Sequence, residues 1–156
     1  MSTTILGLDK EKTTSLVNDL NGLLSNFQVY YQNLRGLHWN IKGQSFFELH
    51  VKFEEYYTDS QEKIDLIAER ILTLGGNPLH TFNDYSSLAT VPVGKDISQD
   101  VKAVNLVVNS LSELLKIERQ ILDASDDAND EGTNSMMSDF IAEQEKTIWM
   151  LQSWLG

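Results

Sequence analysis

The sequence contains no cysteine, which excludes disulfides and thiolate metal sites. Any metal would have to be held by His, Asp, Glu or backbone oxygen. Histidine is scarce too, with only His38, His50 and His80. No apolar run approaches the ~20 residues that span a bilayer, so a membrane is not an expected partner. The opening residues, MSTTILGLDKEKTTS, hold neither a basic leader nor a long apolar stretch, so no signal peptide is expected. Together with the missing cysteines this fits a cytoplasmic location. Basic residues are outnumbered, 12 Lys and Arg against 23 Asp and Glu, for a formal net charge of −11. Phosphate contacts dominate nucleic-acid affinity. Here Lys10 and Lys12 are offset by Asp9 and Glu11, and the closing QSWLG carries no basic residue. The balance favours attracting cations, although solubility alone also accounts for such a charge.

Proline is limited to Pro78 and Pro92, which leaves long stretches free to be helical on either side of the chain's middle. The first helix is predicted from Asp9, a plausible N-cap, to His38 or Trp39. Its apolar positions Leu16, Leu20, Leu23, Phe27, Tyr30, Leu34 and Leu37 step by three or four residues. The second is predicted from near Ser45 to about Leu74, where GGNP supplies a glycine stop and a proline. Residues 77 to 97 hold both prolines and read as a long crossover with a short helix around Tyr85 to Leu88. The third helix is predicted from Ser98, with Val101, Val104, Val108, Leu111, Leu115, Ile117 and Leu122 as its apolar face. DASDDANDEGTN reads as an acidic, turn-rich link. The fourth runs from about Asn134 to Leu155, with Met137, Phe140, Ile141, Ile148, Leu151 and Trp154 on or near its buried side. Nothing reads as a strand. Two short links and one long middle connection predict an all-α, ferritin-like four-helix bundle, with the crossover between helices two and three. Its 156 residues suit a single domain, 1–156.

The second helix carries a second pattern. Taking ~100° per residue, His50, Glu54, Asp65 and Glu69 fall within about 100° of arc and share one face. His50 and Glu54 are one turn apart, as are Asp65 and Glu69. Glu54 and Asp65, however, are ~16 Å apart along the axis, whereas metal–ligand bonds are about 2 Å. One helix cannot bring both pairs to one metal. The midpoint of positions 50 and 69, and that of 54 and 65, both fall between Asp59 and Ser60. An antiparallel copy crossing there would set His50 and Glu54 of one chain against Glu69 and Asp65 of the other. Two-fold symmetry would then make two equivalent centres. A steep crossing angle or another helix supplying the ligands would also be compatible with the sequence. The internal competitor is a Glu-x-x-His arrangement within one bundle, but helices three and four contain no histidine. An all-carboxylate internal site from Glu113, Glu118, Glu143 and Glu145 is disfavoured, since glutamates on helices are usually exposed.

The stretches HWNIKGQSFFELH, FEEYY, DLIAERILTLGG and EKTIWMLQSWLG resemble the signature of the Dps family of mini-ferritins, in order and spacing, over most of the chain. The resemblance implies a twelve-subunit shell whose two-fold interfaces oxidise iron(II), often with hydrogen peroxide, and store the ferric product in its cavity. It implies that His38, His50 and Glu54 of one chain act with Asp65 and Glu69 of a partner as both catalytic and metal-binding residues. Glu54 stands where many members have Asp. Zinc or manganese could fill the same donors without turnover. The lysine-rich tail common in DNA-binding members is missing, so DNA is not an expected partner, and nucleoid protection remains the alternative function. Where many members place an aspartate near an iron-uptake pore, two residues after the threonine opening the last helix, Thr133 is followed here by Asn134 and Ser135. Asp126, Asp127, Asp130, Glu131 and Asp139 are the nearby candidates for guiding cations, if the link is more than a solvated turn. His80 is expected to be a structural hydrogen-bonding group, and Met136 and Met137 to fill core. Trp39 is expected to pack against the bundle end, with a role in electron transfer for it, Tyr30 or Tyr31 as the alternative.

Overall fold

The computed structural model describes residues 2–156. Its helices are α1 (Lys10–Asn40), α2 (Phe46–Thr73), α3 (Phe82–Leu88), α4 (Asp100–Asp127) and α5 (Glu131–Leu155). Asp9 caps α1, accepting from Lys12 N at 2.9 Å. The short turn to α2 passes through Gly43 at φ 110°, a conformation that a Cβ disfavours. α1 packs along α2 and α4, α4 packs along α5, and α3 lies on α1. This is the all-α ferritin-like bundle expected, and among the described residues there is no strand. The core is the predicted stripe of α1, Leu16 to Leu37, closed by Phe53, Ile67 and Ile71 of α2, Leu111, Leu114 and Ile121 of α4, and Met137 and Phe140 of α5.

Four element boundaries move. The crossover helix begins at Phe82, where the Thr81 side chain caps it by accepting from Asp84 N. α4 begins at Asp100, two residues after the expected Ser98, with Gln99 as its cap. The acidic stretch is mostly helix. Ile121, Ser125 and Ala128 continue the buried stripe of α4, so the helix runs on to Asp127. Only residues 128–130 turn, with Asn129 in the left-handed region at φ 56°. α5 then starts at Glu131 because Asp130 caps it, accepting from Thr133 N. The face of α4 is also rotated from the expected one. Val101 is exposed, whereas Ala103, Val107, Ser110 and Glu118 are buried.

Three asparagines on α1 fasten the crossover, and periodicity gave no hint of them. Asn21 accepts from Leu79 N and donates to Asn77 O. Asn26 accepts from Thr90 N and Val91 N. Asn33 accepts from Gly94 N and donates to Pro92 O. Each amide satisfies backbone groups of a segment that has no ladder of its own, so a chain without regular structure is held in one path along α1.

Candidate metal centre

His38 lies in the last turn of α1 and His50 early in α2. The turn at Gly43 folds these ends together, and the imidazoles stack at 3.8 Å between ring centroids with 10° between planes. His38 Nδ1 lies 2.5 Å from His50 O, and His50 Nδ1 lies 2.7 Å from His38 O. A carbonyl oxygen only accepts, so both Nδ1 atoms carry hydrogen and, in the neutral rings, both Nε2 atoms keep a free lone pair. Such a hydrogen bond fixes tautomer and orientation in metal-binding histidines. Phe46 stacks on the outer side of His50 at 4.8 Å, and the Tyr57 ring meets His38 edge-on at 5.5 Å. Glu54 Oε1 stands 3.8 Å from His38 Nε2, on a half-exposed side chain.

His38, His50 and Glu54 therefore gather at one place. Asp65 and Glu69 do not join them within the chain. Both are exposed further along α2, and neither side chain takes part in an ion pair or hydrogen bond among the described residues. Among those residues no three His, Asp or Glu side chains are arranged to hold a metal. His80 is exposed, its Nδ1 3.1 Å from Pro78 O.

The profile of the Ferritin-like domain family matches residues 17–156. A Porphyromonas gingivalis protein called DNA protection during starvation protein is 40% identical over 150 residues, 96% of this chain and 94% of its own. The chain belongs to the Dps family of ferritin-like proteins. Similar Dps structures include the crystal structure of the DPS protein from Vibrio cholerae O1, described as a member of a broad superfamily of ferritin-like diiron-carboxylate proteins. It is 49% identical with a TM-score of 0.97, covering 100% of this chain and 98% of that one. The Bacillus brevis Dps crystal structure is 34% identical with a TM-score of 0.91, covering 94% and 98%.

Several side chains of this Dps chain differ from their sequence-based expectations. Trp39 does not pack against the bundle end. It is 57% exposed, with the Arg35 guanidinium 4.9 Å from its ring centroid. Met137 fills core as expected, and Met136 is partly buried against it. Asp130 is no free guide for cations. It is buried, and Arg70 Nη2 donates to its Oδ1 at 2.6 Å while Arg70 Nε donates to Thr133 Oγ1. Asp127 pairs with Lys12 at 3.1 Å. Glu118, grouped with exposed glutamates, is fully buried, and burial pushes its carboxyl up to about 8. Lys63, buried beside it, binds Asp59 Oδ2 at 2.5 Å and Glu143 Oε2 at 2.8 Å. Burial opposes the charge of Lys63, yet these two carboxylates more than offset it and raise its affinity for the proton. The supporting Phe46 and Tyr57 were also missed. Their signal was the aromatic density of SFFELH and EEYY beside the histidines.

Proposed function

We propose that this Dps subunit oxidises and stores iron, with each centre built by two antiparallel copies of α2. The single observation that carries the reading is the reciprocal hydrogen bonding of His38 and His50, which leaves both Nε2 lone pairs free, that of His38 3.8 Å from Glu54 Oε1. That half-site needs more oxygen donors, and the same helix offers Asp65 and Glu69 unpaired and exposed, at the register where a two-fold mate would present them. Imidazole nitrogen with carboxylate oxygen suits iron in both oxidation states, and it would accept zinc or manganese as well. Fe(II) is the substrate. Each of two Fe(II) ions gives up one electron, bridged or closely approached by Glu69. The O–O bond of peroxide accepts both electrons and, with two protons, leaves as water; dioxygen is the alternative oxidant. Ferric product then moves into the cavity of a twelve-subunit shell and mineralises on inward carboxylates. This consumes iron and peroxide together, and a cytoplasmic setting suits it.

The test is peroxide-driven Fe(II) oxidation, followed by absorbance, on assembled protein. His50→Ala and Asp65→Ala each lower the rate at least tenfold, the usual scale for losing a metal ligand or its support. Subunits of the two variants, mixed and reassembled, recover about a quarter of the wild-type rate. Half of randomly formed pairs are mixed, and each mixed pair has one of its two centres intact. Variants that assemble yet oxidise iron normally, or mixtures that stay inactive, would overturn the shared centre.

A further inference from the structure

Inside the bundle, away from the histidines, two buried oxygens have no hydrogen-bond partner among the described residues. They are Glu118 Oε1 on α4 and Gln144 Oε1 on α5. They belong to two side chains that already touch, since Gln144 Nε2 donates to Glu118 Oε2 at 2.9 Å. The amide is thus engaged through its nitrogen and the carboxyl through one oxygen, and the two leftover atoms are the other half of the same pair. An ionised carboxylate has no hydrogen to give, and neither does an amide oxygen. A proton on Glu118 Oε1 would supply the donor that the pair lacks.

We propose that Glu118 is a buried proton-binding site, carried as the neutral acid, whose Oε1–H donates to Gln144 Oε1 and closes a two-bond acid–amide ring tying α4 to α5. The groups facing it agree. From α1 comes Tyr30, buried, its hydroxyl held protonated chiefly by that burial. From α2 comes Lys63, whose ammonium is already engaged by Asp59 and by Glu143 of α5. On α4 the neighbouring Arg119 turns outward to Glu145 at 2.6 Å. Desolvation holds the Glu118 proton against the weaker opposing pulls of Gln144, Lys63 and Arg119. A cavity of about 30 Å³, lined by Tyr30, Lys63 and Gln144 but not by Glu118, has room for about one water. A carboxyl that keeps its proton is also no metal ligand, because ligating carboxylates are deprotonated. The interior glutamate is thereby closed to iron, whatever happens at the subunit surface.

Infrared spectroscopy of the assembled wild-type protein tests this directly. At neutral pH exposed carboxyls are ionised, so a protonated-carboxyl C=O band reports a buried acid. The expected result is one such band, shifted in D2O, lost above a pH of about 8 and absent from Glu118→Gln. That variant keeps the ring through an N–H donor and should fold. Its thermal stability relative to wild type should rise as pH rises from 4.5 to about 8 and then level off. The sign follows from linkage: the folded protein holds the Glu118 proton more tightly than the unfolded chain, so wild type loses that contribution across this window. Gln144→Leu, a second variant should the first fail to fold, moves the band to higher frequency by removing its partner. No band in wild type at neutral pH, as an ionised Glu118 beside a bound water would give, overturns the proposal. So does a band that survives Glu118→Gln or that ignores Gln144→Leu.

Discussion

Asp130 performs two tasks with one carboxylate. Its Oδ1 accepts from Thr133 N, capping α5, and from Arg70 Nη2, which joins α2 to the start of that helix. With Asp130 buried and Arg70 mostly so, the pair sits where breaking one partner is costly, because the other charge is left without its counterion. Asp130→Ala should therefore destabilise the protein by about 3 kcal/mol, measured by denaturant unfolding. A loss near that of an ordinary exposed cap, about 1 kcal/mol, would mean that Arg70 finds another partner. Sequence inspection placed Asp130 among possible cation guides, because an acidic run looks the same whether its members face water or a buried arginine. The two histidines were more legible: HWNIKGQSFFELH displays both, with a glycine turn between them. Their mutual Nδ1–H to carbonyl bonds were not, because they depend on how closely α1 and α2 ends approach.

At the scale of elements, hydrophobic period three-to-four located every long helix, since burying one stripe against neighbours is what stabilises them. The crossover has no such stripe, and its path is set by side-chain amides on another element. Asn26 alone satisfies the N–H groups of Thr90 and Val91. Asn26→Ala leaves both donors without it in a part-buried setting and should cost about 2 kcal/mol. Hydrogen exchange should show residues around Val91 losing protection while the α1 core keeps it. Unchanged exchange at those amides would show that the crossover is held by packing alone. The reading of α4 erred for a related reason. Glu118 and Ser110 occupy the buried face while Val101 is left outside, so hydrophobicity by itself pointed to a face rotated from the true one.

For the molecule as a whole, surface charge and apolar exposure point in different directions. The formal net charge of −11 opposes binding to a polyanion, while Phe47, Phe82 and Trp149 stay largely exposed on the single chain, the kind of surface that association covers. Among the described residues no helix is long and apolar enough to cross a membrane. The assembled protein should not retard linear DNA in a gel at moderate salt, where the counterion-release drive for binding is already weakened. A retarded band that weakens steeply with salt would reveal a local basic patch and restore the DNA-protecting reading. The amino-acid sequence by itself determined the all-α class, the order of the helices, and a helix whose His and carboxylate pairs are too far apart to share one metal. Those properties follow from composition and from spacing along a helix of known rise. Only the tertiary structure decided which polar groups are buried. It set His38 against His50, drew Asp130 to Arg70, and enclosed Glu118 with Gln144. Each of these depends on approach between different elements of the fold, and no periodicity along a single helix encodes it.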